Sequence, residues 1–195
     1  MKGSWIGGIS KINSKIMNRQ EKEFWARFKR WCLQDIEKAI QVEAYVGAAK
    51  LICCAIDALS GFRFGATSYA GSKFRFISFM KEFMPRFKYR LVAKSGGKVL
   101  YKRSILEMFY DNFRSGLIHE GLPGIGTGVF KNEDTHLLFR TPTPEKLEIN
   151  IFGLFEYLKF AFGEYEKKLN RGVFLTEFRS RLNFLNDKAR IPRIS

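Results

Sequence analysis

An arginine and a histidine stand five positions apart in DNFRSGLIHEGLPG, residues 111–124. The unperturbed pKa of histidine lies near neutrality, so His119 could accept and return a proton at physiological pH. Arg114 keeps its charge and offers a fork of N–H donors that matches phosphate oxygens. Because RNA carries its own nucleophile, the 2′-hydroxyl, these two residue types could together cleave RNA without a metal.

The surrounding pattern predicts that a long helix positions this pair. Apolar residues recur at helical spacing from Lys98 to Gly121, where the helix is expected to end. Five residues on an ideal helix separate two side chains by about 140°. Arg114 and His119 can therefore converge only at a frayed helix end or where two subunits share the site. The residues expected to face inward are Leu100, Ile105, Met108, Phe109, Phe113 and Leu117.

At this point the sequence resembles the HEPN superfamily, whose members are α-helical and often dimeric. Many are metal-independent ribonucleases marked by Arg, four to six residues, then His. Arg114-Ser-Gly-Leu-Ile-His119 fits that motif at its shortest spacing, and the order of helices over about residues 36–170 is also similar. The resemblance implies a homodimer whose motif helices meet across a two-fold axis. It also implies a toxin or defence nuclease restrained by an antitoxin or regulatory protein.

Three further residues are expected to support the pair. Asp111, Ser115 and His119 follow one another at intervals of four, so hydrogen bonds in series from Asp111 through Ser115 could orient the imidazole. Glu120 is the third supporting residue. Ser115 is also where the sequence departs from the family pattern, since active members usually carry Asn, Asp or His after the arginine.

Two other interpretations of the pair stay open. A histidine and an arginine in the last turn favour the negative end of a helix dipole, and Gly121 is an ordinary C-terminal cap. Alternatively, Ser115 marks a degraded site, and the chain is a non-catalytic HEPN-like module that binds nucleic acid or protein. If the site is active, His119 transfers the proton, Arg114 stabilises the phosphate, and the product is a 2′,3′-cyclic phosphate.

The charge balance narrows the class of partner. The chain has 34 Lys and Arg against 19 Asp and Glu, a formal net charge of +15. Such a surplus favours a polyanion, with RNA first and an anionic membrane surface, bound by a peripheral or scaffold protein, as a more distant alternative. Basic and aromatic residues interleave over residues 72–94, where an aromatic stripe is expected to face the core. The expected RNA-binding residues are Lys73, Arg75, Arg86, Lys88 and Arg90.

No metal site, cofactor or transmembrane segment is expected. Three cysteines without CxxC spacing or a nearby histidine indicate reduced thiols in a reducing cytoplasm. The longest apolar run, residues 44–59, contains Lys50 and Asp57 and is shorter than the ~20 residues that a membrane span needs. An Asp in so apolar a helix requires a partner, for which the candidates are Arg63, Arg114 and His119.

The expected architecture is a single, mainly α domain over residues 1–195, with one small β-hairpin after the motif helix. Its core helices include a kink or short turn near residues 34–37, and the helix after it is expected to end at Gly61. Ser72 is expected to cap the next helix and Pro85 to end it, and His136 is assigned to a strand. The expected segments are an N-terminal arm (1–17), core helices (18–121), a β-hairpin (127–151), C-terminal helices (152–188) and a tail (189–195).

Overall fold

The computed structural model describes residues 16–68, 70–88, 90–95, 98–143 and 146–190. The chain is mainly helical, as predicted. The α-helices are Arg19–Gln41 (α1), Tyr45–Arg63 (α2), Ser72–Phe83 (α3), Ile105–Met108 (α4), Ser115–His119 (α5), Ile151–Asn170 (α6) and Leu175–Arg190 (α7). The strands are Arg90–Ser95 (β1), Lys98–Ser104 (β2), Thr127–Phe130 (β3), Phe139–Arg140 (β4) and Leu147–Asn150 (β5).

Helix α1 begins beside a reciprocal cap. The Asn18 side chain accepts a hydrogen bond from the Glu21 backbone N–H (2.9 Å), and the Glu21 carboxylate accepts one from the Asn18 N–H (2.8 Å). The expected kink near residues 34–37 is wrong. This stretch contains neither Gly nor Pro, and its Ile36 is fully buried, so α1 continues to Gln41. The chain turns just after it, where Glu43 has a φ of 58°.

Helix α2 is the centre of the fold. It packs against α1, α3, α6 and α7, and its buried residues include Ile52, Ile56 and Leu59. Within the described part of the chain, α2 is also the one helix long and apolar enough to cross a membrane by composition. The most apolar stretch of that helix is 56% buried inside the fold, and buried core helices pass the same test.

The boundaries around α3 differ slightly from the expected ones. Gly61, expected to end α2, is buried within that helix, which continues to Arg63. Ser72 is the first residue of α3 and not its cap, because Gly71 occupies the cap position with a φ of 70°. The helix ends before Pro85, as predicted. The expected apolar stripe is confirmed as buried: Phe76, Phe79, Met80 and Phe83.

The helix expected from Lys98 begins only at Ile105, which is a correction. Strands β1 and β2 form an antiparallel hairpin before it, with Arg90 opposite Ser104. The run Val-Leu-Tyr at 99–101 has the β-branched and aromatic residues that strands favour, so Leu100 lies in β2 and not on the helix. The other expected inward residues are confirmed as buried: Ile105, Met108, Phe109, Phe113 and Leu117.

The expected hairpin at 127–151 is instead a three-stranded sheet in the order β3-β5-β4. Strand β3 runs parallel to β5, and β4 runs antiparallel to it. The buried Asn150 side chain at the end of β5 accepts from the Asn132 N–H (3.1 Å) and donates to the Asp134 carbonyl (3.0 Å). This anchor holds the loop after β3 beside β5. His136, expected in a strand, lies in an exposed turn of that loop.

Buried side chains from the helices and from β5 form one hydrophobic cluster that is rich in aromatic rings. Trp25 of α1 packs on Phe162 and Tyr165 of α6, and its Nε1–H donates to the Glu166 carboxylate (2.9 Å). The predicted C-terminal helices correspond to α6 and α7, and α7 includes the first two residues of the expected tail. Residues 1–15 of the expected arm and 191–195 of the tail lie outside the described residues.

Candidate functional site

Arg114 and His119 lie on one uninterrupted helical stretch, which we call the motif helix. It consists of α4, a π-helical turn over Phe109–Arg114, and α5. Arg114 is the last residue of the π-helical turn, and His119 is the last residue of the motif helix. Short π-helical turns inside α-helices are frequent at functional sites.

The π-helical turn forms where donors from outside the regular helical ladder occupy backbone carbonyls. The Ser115 hydroxyl donates to the Tyr110 carbonyl (3.0 Å). The Gly124 N–H, from the loop after the motif helix, donates to the Asn112 carbonyl (2.9 Å). Donors inserted in this way displace the usual partners four residues along and widen the helix.

Arg114 is paired with Asp57 of α2. Its Nε and Nη2 donate to the same carboxylate oxygen, Oδ2, at 2.9 and 2.5 Å, and its guanidinium lies 5.2 Å from the centre of the Tyr110 ring. The pair is largely shielded, with 14% of the Arg114 side chain and 24% of the Asp57 side chain exposed. Burial raises the pKa of Asp57 even though Arg114 lowers it, whereas the carboxylate raises the pKa of Arg114 against its own burial.

His119 is exposed at the end of α5, and no hydrogen bond or ion pair joins its side chain to Arg114 or Asp57. Among the described residues, no side-chain hydrogen bond or ion pair engages the imidazole, and it does not line the cavity into which Arg114 projects. The predicted supporting residue Glu120 is exposed at the C-cap of α5, where its N–H donates to the Gly116 carbonyl (2.8 Å). Within one chain, Arg114 and His119 therefore share neither a hydrogen-bond partner nor this cavity.

The expected series of hydrogen bonds from Asp111 through Ser115 to His119 does not form. Asp111 forms an exposed ion pair with Lys73 of α3 (2.6 Å), and the Ser115 hydroxyl donates to the Tyr110 carbonyl. The relay fails because the π-helical turn changes the register between these residues and supplies a closer acceptor to the serine.

Arg114 lines an open cavity of about 320 Å³ between α2, α3, the motif helix and α7. We call it the arginine cavity, because Arg75, Arg114 and Arg181 line it together with Asp57. Arg75 donates to the backbone carbonyls of Ser68 (3.1 Å) and Ala70, and Arg181 donates to that of Ala66 (2.7 Å). These bonds attach both arginines to the loop between α2 and α3.

The residues predicted to bind RNA are divided among different surroundings. Lys73 is paired with Asp111, Arg75 lies in the arginine cavity, and Arg86 donates to the His136 carbonyl (2.8 Å). Lys88 and Arg90, by contrast, are brought together with Lys81 around another cavity.

This second cavity, of about 450 Å³, is lined by Lys81, Lys88, Arg90, Ser104 and Glu107, with Leu106 as its apolar member. We call it the hairpin cavity, because β1 and β2 supply part of its wall. Its three cationic side chains are exposed and form no ion pair with any acidic residue in the described ranges. It is therefore a polar recess with a positive surplus.

The glycine-rich loop after the motif helix packs tightly on that helix. A Cβ atom at Gly116 would lie 2.3 Å from the Gly124 nitrogen and 2.7 Å from the Leu122 carbonyl oxygen. A side chain at Gly116 is therefore excluded by backbone. The sequence shows both glycines, but their contact depends on the path of the loop.

The three cysteines are free thiols in different environments. Cys53 is buried and Cys32 is half-buried, while Cys54 is exposed and not a core residue. Burial raises the pKa of Cys32 to about 11 and also raises that of Cys53. Across the described residues, no group of three His, Cys, Asp or Glu side chains is placed to hold a metal ion.

Comparison of the chain with protein-family models, with curated proteins and with solved structures finds no match. The site must therefore be interpreted from its own geometry. That geometry confirms Arg114 as the partner of Asp57 among the three candidates. It also adds Arg181, which sequence reasoning missed because no local signal connects α7 to residues more than sixty positions earlier.

Proposed function

We propose that this chain is an HEPN-like RNA-binding protein and that the hairpin cavity contacts the RNA backbone. The observation that carries the proposal is the convergence of Lys81, Lys88 and Arg90 on one recess. None of the three forms an ion pair with a described acidic residue, although Glu107 lines the same recess. Phosphates attract such groups and release bound counterions, which gives RNA affinity that does not depend on base sequence.

The overall charge supports a nucleic-acid partner. A formal net charge of +15 draws a polyanion toward the surface at long range, and the recess fixes where phosphates make contact. An anionic membrane would also attract a basic protein, but membrane binding needs a protein surface that can lie flat on the lipid. A recess whose apolar lining residue is the buried Leu106 is better matched to a protruding strand.

Binding of fluorescent single-stranded RNA at several salt concentrations tests this proposal. The variant Lys81→Gln/Lys88→Gln/Arg90→Gln removes three cations from the cavity. Its matched control is Lys22→Gln/Arg27→Gln/Lys38→Gln, which removes three exposed cations of the same types from α1.

The cavity variant is expected to lose affinity, and the slope of log K against log salt should fall by about 2, since each phosphate contact on a single strand contributes about 0.7. The control should keep a slope near that of the parent. Equal losses in the two variants would mean that only net charge is sensed. Binding to anionic vesicles without RNA affinity would favour the membrane alternative.

A second candidate, metal-independent endoribonuclease activity, is favoured by the exposed imidazole of His119. It is not engaged by any described side chain, so it is available for proton transfer. Since Arg114 is held by Asp57 and lines a cavity that His119 of the same chain does not line, we infer that cleavage uses the Arg114 of one copy and the His119 of another on a shared phosphate. This arrangement is the homodimer that the family resemblance implies.

Incubating single-stranded RNA with the protein in EDTA tests the nuclease. Parental protein is expected to leave 2′,3′-cyclic phosphate ends, and both Arg114→Ala and His119→Ala should be inactive. Mixing the two inactive variants should restore about a quarter of parental activity, because half of the dimers are mixed and each holds one intact shared site. Parental protein without EDTA-resistant cleavage would leave only the binding function.

A further inference from the structure

We propose that the arginine cavity is a separate binding site for a small dianion of the phosphate type, and that Asp57 is the ion-pair partner of Arg114 when the dianion is absent. The site is distinct from the hairpin cavity and does not rest on RNA binding. Its ligand is a free phosphate or the phosphate of a small ester.

The cavity gathers positive charge from three separate elements. Arg75 comes from α3, Arg114 from the π-helical turn and Arg181 from α7, while Asp57 is the one acidic residue in its lining. The formal charge of these four residues is +2, that is +3 from the arginines and −1 from the aspartate. A guanidinium has five N–H donors, so the bonds of Arg75 to loop carbonyls leave further donors on that group.

The Asp57 carboxylate is placed to compete with a bound dianion for the Arg114 guanidinium. Both bonds from Arg114 converge on Oδ2, so the pair lacks the two parallel bonds of the strongest arginine–carboxylate geometry, and Arg114 Nη1 donates to no described residue. Burial penalises the Asp57 carboxylate. Arg114, Arg75 and the neighbouring thiols of α2 act on it electrostatically, and Arg181 lines the same cavity. A dianion that also contacts Arg75 and Arg181 would give Arg114 a better partner.

The size and lining of the cavity indicate the class of ligand. Its volume of about 320 Å³ is at the lower end of small-molecule sites. Ser68 and Ser72 add hydroxyl groups beside the arginines, and Ala58, Ala66 and Ile118 add a small apolar wall. Hydroxyls and guanidinium groups suit phosphate oxygens, and the apolar wall suits a compact organic group attached to the phosphate.

Sulfate is the first probe, because its charge does not change near neutral pH. Its binding is measured by calorimetry and by the shift of the thermal midpoint, with sodium chloride at matched ionic strength as reference. The variant Asp57→Asn is compared with Asp111→Asn. The latter removes one carboxylate from another ion pair of the motif helix and lies outside the arginine cavity.

Asp57→Asn is expected to bind sulfate at least about tenfold more tightly than the parent, because a repelling and competing charge is removed. Asp111→Asn should match the parent. Equal sulfate affinities for Asp57→Asn and Asp111→Asn would overturn the proposal.

Arg181→Gln provides a second test in a protein that keeps the Asp57–Arg114 pair. Sulfate should stabilise it less than it stabilises Arg171→Gln, which removes an exposed arginine outside the cavity. An equal shift of the thermal midpoint in these two variants would also overturn the proposal. The affinities of the parent for inorganic phosphate and for adenosine monophosphate then show whether the ligand is a free phosphate or a phosphate ester. Tighter binding of the nucleotide identifies an ester, and equal binding identifies free phosphate.

Discussion

Replacing Gly116 by alanine tests whether the loop after the motif helix is fixed on the segment that holds Arg114 and His119. The added methyl group would stand 2.3 Å from the Gly124 nitrogen, 2.9 Å from the Gly124 Cα and 2.7 Å from the Leu122 oxygen. Non-bonded carbon atoms prefer about 3.5–4.0 Å. The loop must therefore move away by about 1 Å.

That movement determines the expected loss of stability. Overpacking typically costs about 1–3 kcal/mol, and the Gly124 N–H bond to the Asn112 carbonyl contributes about 1 kcal/mol more. Alanine regains up to about 1 kcal/mol through its better helix propensity. The free energy of unfolding should fall by about 1–3 kcal/mol, which for a chain of this size lowers the thermal midpoint by about 2–12 °C.

Urea unfolding and a thermal scan measure this effect, with Gly163→Ala as the matched control. Gly163 lies inside α6, and a Cβ there meets no atom within 4 Å, so alanine should stabilise that helix by about 0.5–1 kcal/mol. The two alanine variants thus have opposite expected signs. If Gly116→Ala is as stable as Gly163→Ala, the loop is not packed on the motif helix as described.

Two further predictions concern buried polar groups. The Tyr165 hydroxyl is buried without a hydrogen-bond partner among the described residues, so Tyr165→Phe should raise the free energy of unfolding, measured in urea, by about 1 kcal/mol. Tyr157→Phe, which removes an acceptor from the Arg86 N–H (2.8 Å), should lower it, and equal signs would contradict the assignment. Burial raises the pKa of Glu21, but the Arg179 guanidinium and a backbone N–H outweigh burial and hold this pKa below its ordinary value. The stability that its carboxylate contributes is present above that value and lost as pH falls through the lowered pKa. The difference in unfolding free energy between parent and Glu21→Gln should therefore shrink as the pH falls from neutral through the lowered pKa, and a constant difference would refute this reasoning.

The helices were predictable where local signals agree with burial. The break before Pro85 and the stripe through Phe79 are local features, and each has its expected outcome. The failures have another cause. The β1–β2 hairpin covers a run whose apolar spacing also fits a helix, and antiparallel pairing decided between the two. The parallel pairing of β3 with β5 depends on the anchor at Asn150, which spacing does not reveal.

The need of Asp57 for a cationic partner was predictable, but the contacts of the other candidate residues were not. An aspartate in the apolar α2 required a cation, and Arg114 was one of three candidates. The Lys73–Asp111 ion pair depends on how α3 packs beside the motif helix. The hydrogen bond from Ser115 to the Tyr110 carbonyl belongs to the π-helical turn. Composition gives the positive surplus, but only the fold divides it between two cavities.

Asp57 determines which of the proposed activities Arg114 can support. While its carboxylate accepts from Nε and Nη2, the charge of the guanidinium is compensated and Arg114 is held at α2. A phosphate that reaches Arg114 must displace that carboxylate or meet it protonated, and burial already raises its pKa. Cleavage at a shared two-subunit site and binding of a small dianion both depend on this release, whereas RNA binding at the hairpin cavity does not. If the arginine cavity and the hairpin cavity are independent sites, Asp57→Asn should bind sulfate more tightly than the parent, while its affinity for RNA at the hairpin cavity should stay the same.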